Sequence, residues 1–118
     1  MLEIKNYVRV QSLAEAYELC QNRSNVIIGG MLWLKMQNRS VDTAIDLCDL
    51  NLNHIEDKGD EIHIGAMVSL RELELNSILD QYTYGAMKES VHNIVGVQFR
   101  NLATVGGSLF GRYGFSDV

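Results

Sequence analysis

The chain has 118 residues, 47% of them apolar and 21% charged, with a formal net charge of −5. That length holds one domain, or two small subdomains, around a modest core, and the acidic balance argues against nucleic acid as the main partner, because phosphate backbones reward basic surfaces. No apolar run approaches the ~20 residues of a membrane span, and Met1-Leu2-Glu3-Ile4-Lys5 lacks the basic and apolar regions of a signal peptide, so the reading is a cytoplasmic chain without a membrane partner.

Leu2-Glu3-Ile4 alternates apolar and polar residues and predicts a short strand. Ser12 and Glu15 form a capping box that opens a helix over Leu13 to Cys20, with Leu13, Ala16, Tyr17 and Cys20 on one face. After a polar loop, Val26-Ile27-Ile28 reads as a buried strand that ends in Gly29-Gly30. Met31 to Met36 predicts a short helix opening at that glycine pair, and a helix N-terminus offers unpaired N–H groups and partial positive charge to an anion. Thr43 to Leu47 predicts a third strand. Strand, helix, strand, helix, strand favours a small parallel sheet, and residues 1–53 form the first subdomain.

The pattern changes near Asn53, where residues 54–118 begin the second subdomain. His54-Ile55-Glu56 and Glu61 to Ile64 flank Asp57-Lys58-Gly59-Asp60, the composition of a hairpin turn. Ser69 and Glu72 form another capping box, before a helix over Leu70 to Leu75. The chain then reads helical from about Ile78 to Ile94, with Gly85 a weak point worth up to ~1 kcal/mol relative to alanine.

Gly96 to Phe99 leads into Arg100-Asn101-Leu102-Ala103-Thr104-Val105-Gly106-Gly107-Ser108. Ala103-Thr104-Val105 predicts a strand, since β-branched residues suit a pleated surface. Gly106-Gly107 then lets the backbone turn or approach a ligand, and successive N–H groups after a strand can form a concave anion site. A plain strand followed by a glycine turn is the other reading. The two strand–Gly-Gly units together suggest two loops converging on an extended phosphate such as a pyrophosphate. Neither unit is a P-loop, and neither is the G-x-G-x-x-G fingerprint.

Other constellations are sparse. Cys20 and Cys48 match no metal or redox spacing and read as small buried residues of a reducing compartment. His54, His63 and His92 show no metal-ligand spacing, and no nucleophile elbow or Cys–His pair stands out. Trp33 suits either the core or a ligand ring. Arg100 suits either a phosphate or a local carboxylate, and Asp117 either solvent or a ligand.

The order of these segments, and above all Gln98-Phe99-Arg100-Asn101-Leu102-Ala103-Thr104-Val105-Gly106-Gly107-Ser108-Leu109, resembles the FAD-binding subunit of the molybdenum hydroxylases, the family of xanthine dehydrogenase and the carbon monoxide dehydrogenase medium subunit. Ile62-His63-Ile64-Gly65-Ala66 is the next most specific stretch. The resemblance implies an α+β fold of two small mixed subdomains of the FAD-binding type, the second incomplete, with FAD between them. It places Ile27, Ile28, Gly29, Gly30, Met31 and Leu32 on one loop against the cofactor. A second loop, Ala103, Thr104, Gly106, Gly107 and Ser108, faces them; Ile94 lies near the flavin ring and Asp117 near the FAD ribose. At Met31-Leu32 the family's polar Thr-Asp pair is absent, and Ser108 replaces an asparagine. The resemblance also implies a molybdenum-binding partner subunit carrying molybdopterin, an iron–sulfur partner with 2Fe-2S clusters, and electron flow through FAD to NAD or another acceptor. Relatives continue past Val118, which predicts an open sheet edge, self-association into homo-oligomers and a weakly held flavin in an inactive fragment. The alternative is a non-catalytic interaction domain with a decayed FAD site.

Overall fold

The computed structural model describes residues 1–112 and 118. Its first half is a three-stranded parallel sheet ordered β1-β3-β2, with β1 at Glu3–Arg9, β2 at Val26–Ile28 and β3 at Ser40–Asp46. β1 is much longer than its short alternation predicts and starts one residue later. Its pairing with the central β3 carries it to Arg9, opposite Asp46. β3, flanked on both sides, buries Val41, Ala44 and Ile45, as a central parallel strand must.

The helix α1 spans Leu13–Cys20 as expected. The Ser12 side chain accepts from the Glu15 N–H at 3.1 Å, while the Glu15 carboxylate accepts from Gln11 N–H at 2.9 Å, so the reciprocal contact falls one residue earlier than expected. The buried face differs from the expected one. Ala16 packs with Val10, Ile45 and Leu47, and Leu19 adjoins them, whereas Leu13, Tyr17 and Cys20 are exposed. Cys48 is exposed too, so neither cysteine is the small buried residue the sequence suggested.

The second half starts with the predicted hairpin, β4 (Ile55–Asp57) antiparallel to β5 (Ile62–Ile64). Helix α2 (Leu70–Leu75) has the full capping box between Ser69 and Glu72. The expected long helix over 78–94 is two: α3 (Ser77–Tyr82) and α4 (Ala86–Val91). The break is backbone geometry, since Tyr84 has φ 54° and Gly85 φ 82°, left-handed values a helix cannot contain. A helix α5 (Val97–Leu102), which the sequence did not suggest, follows. Val68, Leu70, Leu73, Leu79, Val91 and Ala103 form the second core cluster.

The predicted strand over 103–105 is also corrected. Thr104 is extended (φ −107°, ψ 156°) and makes one antiparallel bridge with Ser69. Helix α6 (Val105–Gly111) then starts at once, because the Thr104 side chain caps it by accepting from Gly107 N–H. Strand propensity decides one residue, and capping decides the rest.

Candidate functional site

Edge strand β2 supplies the first wall of the main cavity. The chain leaves β2 through Gly29-Gly30 and bends at Met31, where φ is 60°. The expected helix over 31–36 is only a 3-10 turn at Leu34–Met36. There is thus no helix dipole aimed at a ligand here. Individual N–H groups remain. Those of Gly29, Gly30, Met31 and Leu32 meet no acceptor among the described residues. A run of backbone donors without partners is suited to an anion.

The opposite wall is α6. Thr104, Gly107, Ser108 and Gly111 line the cavity, at the helical spacing that puts them on one face. The second glycine pair does not form the concave anion site that the sequence suggested, because its donors are spent internally. Val105 N–H donates to Val68 O (2.9 Å), Gly106 to Ala66 O (2.8 Å), and Ser108 to Thr104 O (3.0 Å). Gly107 N–H goes to Thr104 Oγ1 at 3.1 Å. What this wall offers is smoothness: Gly107 is exposed, and a Cβ built there meets only Thr104 Oγ1, at 3.0 Å.

The two walls touch. A Cβ on Gly30 would stand 2.1 Å from the Leu102 carbonyl oxygen, and one on Gly29 would stand 2.9 Å from Thr104 Oγ1. These glycines therefore let one loop close on the other. The cavity so formed measures about 330 Å³, at the small end of ligand clefts.

Of the residues the sequence singled out, Ile27, Ile28, Gly29, Gly30, Met31, Leu32, Ala103, Thr104, Gly107 and Ser108 line this one cavity. Gly106 is turned to Ala66 instead. Ile94 packs against the second core cluster, away from the cavity lining. Asp117 lies outside the described residues. Trp33 is in neither sequence-based extreme. It is 40% exposed at the cavity wall, with its ring edge-on to Phe99 at 6.2 Å and 73°.

Sequence reasoning missed Gln37, Arg39, Phe99 and Phe110, which also line the cavity. Arg39 is the only charged residue in that lining and forms no ion pair among the described residues. A basic residue just before β3 carries no motif, so only the fold reveals it.

Arg100 takes the carboxylate reading. It is buried, its Nε sits 3.0 Å from Glu74 Oε2, and its Nη1 donates to the Ile94 carbonyl at 2.9 Å. Arg71 also reaches Glu74, at 2.7 Å. The Arg71 hydrogen bond, joined by Arg100, holds the Glu74 carboxyl below its ordinary range, although burial pushes the other way. Arg100 thus ties α5 to α2 and leaves no charge for a phosphate.

A family described as the FAD binding domain in molybdopterin dehydrogenase matches residues 2–118. The chain belongs to this family. The glyceraldehyde dehydrogenase medium chain of Sulfolobus acidocaldarius is 29% identical over 119 residues, covering 96% of this chain and 42% of its own. Quinoline 2-oxidoreductase from Pseudomonas putida 86 has a similar fold, with TM-score 0.78 at 22% identity over 88% of this chain and 38% of its own. The Cu,Mo-CO dehydrogenase in its cyanide-inactivated form superposes with TM-score 0.79 at 23% identity, over 92% of this chain and 40% of that one. The chain therefore spans about two fifths of the length of these relatives. The FAD-binding domain is α+β, as expected, and FAD is its cofactor. The residues present fit that group. Four backbone donors and the Arg39 side chain, none with a partner among the described residues, would suit its phosphates, and the glycine-lined α6 face leaves room for it.

No helix among the described residues is long and apolar enough to cross a membrane. No group of three or more His, Cys, Asp or Glu among them is placed to hold a metal.

Proposed function

We propose that this domain holds FAD as an electron relay in a molybdenum hydroxylase-type oxidoreductase. The carrying observation is the donor run Gly29–Leu32, without partners among the described residues, which closes against Leu102 and Thr104 and shares one cavity with Gly107. In this reading Gly29, Gly30, Met31 and Leu32 bind the pyrophosphate through main-chain N–H groups. Arg39 balances its charge, and Ile27, Ile28, Ala103, Thr104 and Ser108 line the remainder. FAD supplies the chemistry, accepting an electron pair and releasing it singly or together. The chain's own residues bind, orient and shield it, and no side chain acts as acid, base or nucleophile.

The molybdopterin and 2Fe-2S centres sit on a molybdenum-binding partner and an iron–sulfur partner, and NAD or another acceptor takes the electrons from FAD. Support comes from the family and from the medium-chain name of the Sulfolobus relative. Residues 1–53 and 54–118 act as two subdomains, a division supported by the two core clusters. A reducing cytoplasm suits the exposed free Cys20 and Cys48.

The chain's single tryptophan, Trp33, lies in the cavity wall and reports on binding. Titrating FAD against the 118-residue chain should quench its fluorescence to saturation. A flat titration, with the chain folded by circular dichroism, would favour the decayed-site interaction domain instead.

A further inference from the structure

A second cleft, of about 660 Å³, lies beside the base of the hairpin and shares no lining residue with the cavity of the glycine loops. The two have supports in common. On α5, Leu102 packs on Gly30 while its neighbour Asn101 lines the cleft. Thr104 lines the cavity, and its bridge partner Ser69 lines the cleft.

The cleft is rich in polar groups without partners among the described residues. The side chains of Asn53 and Asn101 make no hydrogen bond there, and Asn76 uses only its oxygen, which accepts from Leu79 N–H at 2.9 Å. A primary amide pairs a carbonyl acceptor with two donors. One side of the cleft also has positive charge to spare. Arg71 and Arg100 reach the same oxygen of Glu74, at 2.7 and 3.0 Å, so two guanidinium groups share one carboxylate. Arg100 is buried, whereas the Arg71 side chain is 30% exposed and lines the cleft. Only Nη1 of Arg71 has a partner among the described residues. Glu72 is held separately: its Oε2 accepts from Ser69 N–H at 2.9 Å, and Oε1 is left as an acceptor. Met67 and Leu75 add apolar surface.

We propose that this cleft binds a polyhydroxylated carboxylic acid of the sugar-acid class. The carboxylate accepts from the unused N–H groups of Arg71, a charge-assisted contact suited to the planar guanidinium. Hydroxyl groups both donate and accept, so they match the Asn53 and Asn101 amides, the Asn76 N–H groups and the open oxygen of Glu72. The C–H faces of the ligand lie on Met67 and Leu75. A simple fatty acid leaves the amides unmatched, and a neutral polyol leaves the charge unmatched. A phosphate ester carries nearly two negative charges, which one spare positive charge beside Glu72 balances poorly.

The test sets gluconate, sorbitol and hexanoate against the 118-residue chain by calorimetry, with amide spectra of the ¹⁵N-labelled chain in parallel. Sorbitol lacks the carboxylate, and hexanoate lacks the hydroxyls. Gluconate should bind roughly fivefold or more tightly than either, the scale of one exposed ion pair. It should shift the side-chain amides of Asn53, Asn76 and Asn101 and leave the backbone amides of Gly29 to Leu32 in place. Arg71→Gln should bring gluconate down to the sorbitol level, while Glu74 keeps Arg100 as its partner. Asn101→Ala, at an exposed position without side-chain hydrogen bonds, should weaken gluconate and leave the urea midpoint unchanged. Equal affinity for gluconate and either control overturns the inference, as does a gluconate titration without saturation or one whose shifts are confined to the glycine loops. None of these outcomes touches FAD binding, which Trp33 quenching follows separately. The three-ligand comparison needs no variant and stands even if Arg71→Gln does not fold.

Discussion

Gly30 and Leu102 are in direct main-chain apposition: a Cβ at Gly30 would lie 2.1 Å from the Leu102 carbonyl oxygen and 2.6 Å from its carbon. The obstacle is backbone, not the end of a mobile side chain, so one of the two loops must move to admit a methyl group. Gly30→Ala should destabilise the chain by about 1–3 kcal/mol, the usual cost of overpacking, and weaken FAD as the walls part. Urea unfolding measures the first effect and Trp33 quenching the second. An unchanged urea midpoint would mean the loops are not held in contact.

Gly107 makes the opposite case. Its Cβ would meet only Thr104 Oγ1, at 3.0 Å, so a side chain there projects into the cavity with little effect on the fold. Gly107→Val should lower FAD affinity at least tenfold, about 1.4 kcal/mol or more. The urea midpoint should move far less than for Gly30→Ala. Retained affinity would move the ligand away from α6.

Set side by side, these glycines indicate what the sequence alone could tell. Both Gly-Gly pairs were legible as places of close approach, and the cavity brings most of their neighbours together. The partner of each approach was not legible. Gly30 packs on Leu102 and Gly106 on Ala66 because of how α5 and α6 fold back, a tertiary fact without local signal. The short β-branched run at 103–105 pointed to a strand, yet a capping side chain at Thr104 and the helix behind it prevailed. The capped helices α1 and α2 and the hairpin were readable because their signals are local. The break at Tyr84-Gly85 was not, because a left-handed tyrosine runs against its local preference, and Tyr84 is exposed, so no apolar pattern marks it.

Met31 also occupies the left-handed region, with φ 60°. An unbranched side chain pays about 1 kcal/mol there, and glycine does not. Met31→Gly should therefore raise stability by roughly 0.5–1 kcal/mol, and Met31→Thr, the residue type of the resembling family, should lower it, since a β-branched residue fits that region worse. Thermal or urea unfolding of the two variants checks the order. The reverse order would show that the loop relaxes out of this conformation.

Arg39 brings the cavity its only charge among the described lining residues. Arg39→Gln keeps the length and hydrogen-bonding capacity but removes the charge. FAD affinity should fall about three- to tenfold, in the range of one charge-assisted contact on an exposed site. The remaining binding should also lose part of its salt dependence, because screening acts on the charge that has gone. Titrations between low and moderate salt separate this from a packing effect, which would lower affinity equally at every ionic strength.

Glu74 gives the fold its pH signature. Its carboxylate accepts from Arg71 at 2.7 Å and from Arg100 Nε at 3.0 Å, and Arg71 first, then Arg100, depress its folded pKa against the upward push of burial. A carboxyl depressed in the folded state contributes stability that is fully present above its unfolded pKa and is lost as the pH falls through the folded value. The chain should hold its urea midpoint from neutral pH down to about 4.3, the ordinary glutamate value, and lose stability below it. Glu74→Gln should unfold more easily than the unaltered chain at pH 7, because it leaves the buried Arg100 with its Ile94 carbonyl contact but no counter-charge. The difference should narrow as the pH drops below that range, since the native carboxyl is then neutral as well. Arg100→Gln should lower the neutral-pH midpoint more than Arg71→Gln, as Arg100 alone spans α5, α2 and the Ile94 carbonyl. A difference between Glu74→Gln and the unaltered chain that stays constant from pH 7 to pH 3 would mean that the ionised carboxylate is not what joins these helices.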